Sequence, residues 1–306
     1  MSLSRRDFLT ITAMTGTHAV FNNLQAFAKP LTTPPQSSGF NLLIFATNWG
    51  FTGSWDAFAS KIKQLGYDGA ELWYPSDPAQ RTEVFSAFQN HYLKMGFLVG
   101  GWERDYQKHL DQFKSSLEGA AAQKPVYINC HSGRDYYSFE QNKSFIELTT
   151  KITKSTGVPV YHETHRSRIL YSAPVTRQFM DSLPDLRITF DVSHWCNVHE
   201  SLLDDQEDTL SKTLDRVDHI HARIGHAEGP QVNDPRAPEW KEAVQAHFAW
   251  WDTVVSRKKE EGKLMTFLTE FGPIDYMPAL PYTRQPLADQ WEINKHMLDT
   301  IRMRYA

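Results

Sequence analysis

Four side chains that can bind a divalent metal ion follow four separate strand-like runs. The runs are VPVYHETH, RITFDVSHW, VDHIHARIGH and LMTFLTEFG, and the side chains are Glu163, Asp191, His221 and Glu270. Each run is short, apolar and rich in β-branched residues, which is typical of buried strands. If the strands are parallel and close into a barrel, their carboxyl ends lie at one mouth. The sequence therefore predicts that the four groups converge there.

Two glutamates, one aspartate and one histidine make an oxygen-rich set of metal ligands. Such a set suits one Mn²⁺, Mg²⁺, Co²⁺ or Zn²⁺ ion, with Mn²⁺ the preferred candidate, and does not suit Cu(I) or an iron–sulfur cluster. A lone glutamate at a strand end is more often a surface group, and a lone histidine in a strand more often a core residue. The prediction therefore depends on all four recurring at corresponding strand ends.

Short apolar runs alternate with longer amphipathic ones from residue 40 onward, and eight such pairs can be counted. This alternation predicts parallel strands joined by helices, because parallel strands need a crossover connection. Eight units in this length match a single (β/α)8 TIM barrel of the α/β class. The alternative, an open doubly wound sheet, lacks the G-x-G-x-x-G loop expected after its first strand.

The predicted elements can be placed by residue number. Strands are expected at 42–46, 69–73, 96–100, 126–130, 158–162, 187–191, 218–221 and 265–270. Helices are expected to begin near residues 55, 79, 105, 139, 175, 201, 238 and 287. Two long polar segments, 225–239 and 272–285, follow the last two strands, so we expect them to be substrate-facing loops.

Composition narrows the class of protein. The chain has 306 residues, a net charge of −4 and no clustered basic stripe, which argues against a nucleic-acid partner. Its two cysteines, Cys130 and Cys196, are interpreted as buried thiols, although a disulfide is an open alternative. The oligomeric state cannot be inferred.

The N-terminus resembles a twin-arginine export signal. SRRDFL at residues 4–9 precedes a modestly apolar stretch, and AFA at 26–28 offers a small-x-small cleavage site. The stretch is too short and polar for stable membrane insertion. We therefore expect a signal peptide at 1–28, a flexible Pro/Ser/Thr-rich lead-in at 29–39, a catalytic barrel at 40–306, and a periplasmic location.

The set HETH, DVSH, HIHAR and TEFG resembles the motifs of the xylose-isomerase-like barrel superfamily, closest to sugar isomerases and epimerases of the tagatose-epimerase type. The resemblance implies that Glu163, Asp191, His221 and Glu270 are the metal ligands. It implies that Glu163 and Glu270 are also the acid/base pair, and that His194 and Arg223 hold the substrate. It also selects His221 over His219 as the ligand.

The expected reaction is proton transfer next to a sugar carbonyl. Two carboxylates on opposite faces of the carbon can remove and return the proton through an enediolate that a divalent ion stabilises. His131 and His165 are candidate partners of substrate hydroxyls, or they orient the ligands. Indoles near the mouth, including Trp49 and Trp102, could pack on a carbohydrate ring or simply support the loops.

Other functions remain open at this stage. Arg223 follows His221 by two residues, whereas the sugar epimerases place their arginine further along, so the substrate is not fixed. The same site could serve a metal-dependent lyase or hydrolase acting on a keto-sugar or inositol derivative. A non-catalytic exported carbohydrate-binding barrel is a further alternative. The absence of an obvious phosphate-binding loop favours an unphosphorylated substrate.

Overall fold

The computed structural model describes residues 39–306. Eight parallel strands close into a barrel in chain order, which confirms the predicted (β/α)8 fold. The predicted signal peptide and all but the last residue of the predicted lead-in lie outside the described residues. Their assignments, and the domain boundaries drawn from them, stay predictions.

The barrel strands are short and agree with the predicted positions to within a few residues. They are β1 (Asn41–Thr47), β2 (Gly69–Trp73), β3 (Lys94–Gly100), β4 (Ile128–His131), β5 (Val160–Glu163), β6 (Ile188–Phe190), β7 (Val217–Ala222) and β8 (Leu264–Thr269). Six residue pairs join β1 to β8 and close the barrel.

Nine α-helices cover the strands in residues 39–306. They are α1 (Trp55–Leu65), α2 (Pro78–Asn90), α3 (Tyr106–Ala122), α4 (Phe139–Thr156), α5 (Ala173–Ser182), α6 (Val192–Val198), α7 (Glu207–Leu214), α8 (Lys241–Glu260) and α9 (Gln290–Tyr305), with a 3₁₀ turn at Pro238–Trp240 before α8. None of these helices has both the length and the apolar character that a membrane crossing requires.

Side-chain caps set several helix starts. Ser54 accepts a hydrogen bond from the Ala57 amide at the start of α1, and Ser138 forms a reciprocal capping box with Gln141 at the start of α4. The predicted helix stop at Gly66 is confirmed, because Gly66 ends α1 with φ 92°, in the left-handed region that glycine favours.

The predicted helix start near residue 201 is wrong. Ser201 lies between two helices, because Asp191 caps α6 directly after β6 and α7 begins only at Glu207. Asp191 accepts from the Ser193 amide at 3.2 Å, which starts the helix at the strand end. The aspartate was assigned to the strand end, and its capping role was not anticipated.

The barrel interior has an apolar floor beneath the mouth. Leu43, Phe45, Tyr127 and Leu268 form a buried cluster separate from the main core between strands and helices. A Cβ at Gly96 would lie 2.5 Å from the Tyr127 ring, so glycine there makes room for the tyrosine. Both cysteines are free and buried, which confirms their interpretation as core thiols.

The amino-terminal end of the barrel carries an ion-paired cluster remote from the mouth. Asp218, the second residue of β7, accepts from Arg187 at 2.7 Å through both carboxylate oxygens and also pairs with Lys258. Burial would raise the pKa of Asp218, but the hydrogen bonds and charges of these two cations lower it below its usual value. The carboxylate is therefore ionised at neutral pH.

We expect Asp218→Asn to destabilise the protein by about 3 kcal/mol at pH 7, because it leaves two largely buried cations unpaired. The lowered pKa means that this contribution is present above the unfolded pKa of about 3.9 and is lost as pH falls through the folded value. Urea unfolding at pH 7 and near pH 3 measures both effects. Asp181→Asn, in an exposed pair with Arg177, is the control and should cost under about 1 kcal/mol. Equal losses in the two variants would contradict the expectation.

Candidate active site

The four predicted metal ligands come together at the carboxyl-terminal mouth of the barrel. His221 Nδ1 lies 3.1 Å from Glu270 Oε2 and 3.7 Å from Glu163 Oε2. Ligand atoms of Asp191, His221 and Glu270 all lie within 4.8 Å of one another, and so do those of Glu163, Asp191 and His194. Three of the predicted ligands therefore form one triplet, and the fourth, Glu163, forms a second triplet with Asp191 and the predicted substrate contact His194.

Strand alternation explains why these side chains point inward. His219 and His221 lie on the same side of β7, but at different depths. His219 Nδ1 contacts the Thr266 hydroxyl at 2.8 Å, and its ring lies 4.2 Å from the ring of Tyr127 on the apolar floor. His221, one layer higher, is the histidine that faces Glu163 and Glu270.

Two buried polar residues that were not predicted as site residues hold His221 and Glu163 from below. Glu71 Oε1 lies 3.3 Å from His221 Nε2, and Asn129 Nδ2 donates to Glu163 Oε2 at 2.7 Å. This arrangement leaves His221 Nδ1 as the atom turned toward Glu163 and Glu270. A sequence signal exists for each residue, because GAELW and INCH carry a polar group inside an otherwise apolar strand.

Arg223 places a guanidinium against two of the predicted ligands. Its Nη2 donates to Asp191 Oδ2 and lies 3.5 Å from Glu270 Oε2. Its Nε donates to the Ser193 hydroxyl at 3.2 Å. A Cβ at Gly225 would lie 2.6 Å from the Ser193 Cα, so glycine allows the β7 loop to approach α6 closely. Arg223 is thus fixed by the local backbone as well as by charge.

The buried carboxylates and the imidazole of this cluster shift one another's pKa values. Burial, together with Glu270 and Glu163, raises the pKa of Asp191 to about 7 against the opposing charge of Arg223. Burial would lower the pKa of His221, but Glu270, Glu163 and Glu71 raise it well above its usual value. Burial would also raise the pKa of Glu163, yet His131 and His221 hold it well below the usual range.

Three imidazoles line the site beside Glu163. His131 Nε2 lies 2.8 Å from Glu163 Oε2, the His131 and His165 ring centres are 4.4 Å apart, and those of His165 and His194 are 3.9 Å apart. Burial lowers the pKa of both His165 and His194 well below the usual value, so both rings are neutral at pH 7. His194 Nδ1 is buried without a hydrogen-bond partner in the described part of the chain. A substrate hydroxyl is a suitable partner for it.

A cavity of about 520 Å³ opens above this cluster, within the usual size range of small-molecule sites. The wall includes Thr47, Asn48, Trp49, Gly50, Glu71, Trp73, Leu98, Trp102, His131, His165, Arg168, Arg223, Leu268, Glu270 and Tyr276. Of the two predicted acid/base carboxylates, Glu270 lines the cavity, while Glu163 lies behind His131.

The two predicted loops contribute unequally. Tyr276, in segment 272–285, forms one cavity wall, with its ring 4.8 Å from the ring of Trp49 and 4.7 Å from the Arg223 guanidinium. Segment 225–239 supplies no residue to the cavity lining. Its Gln231 instead exchanges hydrogen bonds with the Gly272 backbone at 2.7 and 3.2 Å. The first loop therefore supports the second.

The indoles also separate into two groups. Trp102 and Trp73 are 57% and 41% exposed, and with the half-buried Trp49 they face the cavity. Trp195 is fully buried and donates to the Leu170 carbonyl at 2.9 Å, so it packs under a loop.

The donor set fits a divalent cation. Asp191 and Glu270 converge with His221, and Glu163 lies 3.7 Å from the same imidazole. Burial, and then repulsion by Glu270 and Glu163, raise the pKa of Asp191, and a bound cation would favour its ionised form. Oxygen-rich sets with one nitrogen suit Mn²⁺, Mg²⁺, Co²⁺ or Zn²⁺. Roles as ligand, acid/base group or substrate contact stay predictions for all ten residues singled out from the sequence, all of which lie at or next to this mouth.

We expect Arg223→Met to bind Mn²⁺ at least about tenfold more tightly than the unaltered chain, measured by isothermal titration calorimetry. The guanidinium contacts the same carboxylates that would hold the ion, and like charges about 4 Å apart repel by about 4 kcal/mol at an effective dielectric constant of 20. Arg166→Met is the matched control, because Arg166 reaches Tyr276 Oη at 3.3 Å. Weaker Mn²⁺ binding in Arg223→Met would mean that the arginine chiefly orders Asp191.

Comparisons with known proteins agree with this architecture. The family described as "Xylose isomerase-like TIM barrel" matches residues 59–234. The sequence has no match among curated proteins. The solved structures that it resembles include 3-keto-D-glucoside 4-epimerase from E. coli, which is 16% identical with a TM-score of 0.58, the match covering 86% of this chain and 100% of the other.

Two further structures have a similar fold. A D-tagatose 3-epimerase-like protein is 12% identical with a TM-score of 0.58, and the match covers 86% of this chain and 100% of the other. A probable 3-DHS dehydratase from Bacillus anthracis is 14% identical with a TM-score of 0.51, covering 86% and 99%. At these identities the likeness shows the fold alone.

Proposed function

We propose that this chain, which belongs to the xylose isomerase-like TIM-barrel family, is a divalent-metal-dependent sugar isomerase or epimerase. The observation that carries the proposal is that Asp191, His221 and Glu270 lie within ligand reach of one another beneath the cavity, with Glu163 Oε2 3.7 Å from His221 Nδ1. Two of its structural relatives are described as a sugar epimerase and as epimerase-like, which supports the reaction class.

Glu163, Asp191, His221 and Glu270 would hold the ion, with Mn²⁺ preferred among the hard and borderline candidates. When bound, the cation would stabilise negative charge that develops on substrate oxygens next to the reacting carbon. Asp191 would bind it as a carboxylate and His221 as the neutral ring through Nδ1.

Glu270 and Glu163 are the proposed proton-transfer pair. Glu270 lines the cavity, so it can reach a carbon acid directly. Glu163 is kept ionised by His131, so it is in the protonation state that a proton acceptor needs, although its lowered pKa makes it the weaker base. Return of the proton to the opposite face would give epimerisation, and return to the adjacent carbon would give aldose–ketose isomerisation. Arg223 and His194 would hold the substrate: Arg223 lines the cavity, and its contact with His194 Nε2 at 3.0 Å leaves His194 Nδ1 as the nitrogen for a substrate oxygen.

We expect Glu270→Gln to lower turnover by about 100- to 10,000-fold, the usual contribution of a general acid or base. The change is isosteric, so the thermal midpoint should move by no more than a few degrees. Proton exchange into keto- and aldo-sugars in deuterated water, followed by NMR, measures the chemical step. Glu261→Gln, remote from the mouth, is the control.

The same exchange experiment separates the competing functions. Deuterium incorporation with a changed sugar configuration or carbonyl position supports the isomerase or epimerase. Loss of water or another group after exchange would instead indicate a lyase of the kind named for the dehydratase relative, acting on a keto-sugar or inositol derivative. A hydrolase would cleave a bond of such a substrate without exchange at carbon. Binding with neither exchange nor cleavage would indicate a carbohydrate-binding barrel, and wild-type exchange in Glu270→Gln would contradict its acid/base role.

We further propose that residues 1–28 direct the protein to the periplasm through the twin-arginine pathway, on the strength of the SRRDFL and AFA motifs. We expect replacement of Arg5 and Arg6 by lysine to retain the full-length chain in the cytoplasm of a bacterial host that possesses this pathway. Cell fractionation with immunodetection measures the distribution. Lys61→Arg and Lys63→Arg together are a control on the folded domain, and unchanged export of the Arg5/Arg6 variant would contradict the proposal.

A further inference from the structure

The cavity wall contains a buried arginine that has no acceptor. Arg168 follows β5 and is only 7% exposed. Its Nε and Nη1 atoms are buried and unpaired, and within residues 39–306 no carboxylate forms an ion pair with it. Burial and the nearby charge of Arg134 lower the pKa of Arg168 to about 10, so the side chain remains cationic at pH 7. A buried cation without a partner is costly to the fold.

The backbone holds Arg168 in this position. Ser167 adopts φ 57°, in the left-handed region that a serine rarely occupies. The Arg168 amide donates to the His165 carbonyl at 3.2 Å, and the next amide donates to Ser132 at 3.3 Å. Unfavourable backbone geometry that persists beside a cavity is often associated with function. The strained backbone at Ser167 is therefore kept where it places the Arg168 guanidinium in the cavity wall.

Packing against an indole does not satisfy this guanidinium. Its central carbon lies 5.4 Å from the Trp102 ring centre, a cation–π contact. A cation–π contact is not a hydrogen bond, so it satisfies none of the N–H donors of Arg168. These donors remain available to a ligand, unlike those of Arg187 or Arg223, each of which contacts a carboxylate.

A second guanidinium reinforces the positive charge at this wall. Arg134 Nη2 donates to the Trp102 carbonyl at 3.2 Å, while its Nε is buried without a partner. Asp135 and Glu163 favour the charged form of Arg168 from a distance, but neither pairs with it. Two arginines thus meet at Trp102 with no carboxylate neutralising them by contact.

We propose that Arg168 receives an anionic group of the substrate, a carboxylate or a phosphate, so that the substrate is an acidic sugar derivative. Both anions match the donor fork of a guanidinium. The path from the reacting end to Arg168 runs along aromatic rings, with Trp73 5.4 Å from His131 and 5.1 Å from Trp102 between ring centres. The sugar would pack on these rings while its charged end reaches the arginine.

This inference rests on the proposed function only for the sugar part of the ligand. It also revises the expectation of an unphosphorylated substrate, which came from the lack of a glycine-rich loop. Such loops cradle phosphate through backbone amides, whereas here the donors are side-chain guanidinium groups contributed by separate loops.

The test uses three sugars that differ only at carbon 6: D-glucose, D-glucuronate and D-glucose 6-phosphate. Their affinities for the full chain saturated with Mn²⁺ are measured by isothermal titration calorimetry. We expect at least one anionic sugar to bind tenfold or more tightly than glucose. Which of the two anions gains more identifies the charged group as carboxylate or phosphate.

Arg168→Met should remove that advantage by about 10- to 100-fold, the usual effect of losing charge-assisted hydrogen bonds, and should leave glucose binding within twofold. Arg168→Lys, which keeps the charge without the fork, should recover part of it and guards against a folding defect. Arg177→Met, on the exposed face of α5, is the matched control and should change nothing.

The proposal is overturned if neither anionic sugar binds more tightly than glucose, or if Arg168→Met keeps the full anionic advantage. Because binding is measured without turnover, the result is independent of the deuterium-exchange experiment. Preferential anion binding that depends on Arg168, in a protein that shows no proton exchange, would support this inference while contradicting the isomerase assignment.

Discussion

Charge balance among buried carboxylates is the constraint on which this site depends. Glu163, Asp191 and Glu270 meet above a fourth acid, Glu71, in a region where water is largely excluded. Uncompensated charges there would be strongly destabilising. Arg223 and a protonated His221 supply the compensating positive charge. The pKa of Asp191 is raised to about 7, so the net charge of the cluster changes near neutral pH as Asp191 gains or loses its proton. A divalent ion, if bound as proposed, would take over this role.

The barrel meets this constraint by separating the interior into layers. Leu43, Phe45, Leu268 and the ring of Tyr127 fill the bottom. Glu71, Asn129 and His219 form the next layer, and the reacting groups lie above them. Since each strand contributes alternate residues to the interior, a change of two positions along a strand moves a side chain by one layer. That rule separates His219, which supports the site, from His221, which faces it.

Much of this arrangement could be predicted from the sequence, and the reasons for the failures are physical. Periodicity and chain length gave the barrel, because eight alternations of strand and helix leave few other topologies. Polar residues that end apolar runs gave the cluster at the mouth. Glu71 and Asn129 were harder to assign, because their roles depend on contacts with other strands. Asn129 contacts Glu71, which lies 58 residues earlier, and Glu163, which lies 34 residues later.

The start of helix α6 and the burial of Arg168 also depend on contacts that the local sequence pattern does not show. The start of α6 depends on a local cap by Asp191, which was read only as a strand-end residue. Arg168 carries no signal in its own sequence, because HETHRSR contains two arginines and nothing there tells which one is buried. The distinction arises from the turn at Ser167 and from Trp102, which belongs to a different loop. Pattern analysis could therefore locate the cluster of polar groups at the mouth but not the buried arginine beside it.

The join between the first and last strands has a consequence for the position of Glu270. Gln290, the first residue of α9, donates to the carbonyls of Trp49 and Phe271, both at 2.8 Å, and so ties the ends of β1 and β8 together at the mouth. Asn294 on the same helix bonds the Phe271 backbone through both its amide oxygen and its amide nitrogen. Glu270 directly precedes Phe271, so these bonds also fix the strand end that carries Glu270. A chain cut before α9 would lack them, and Glu270 would then lie on an unanchored strand end.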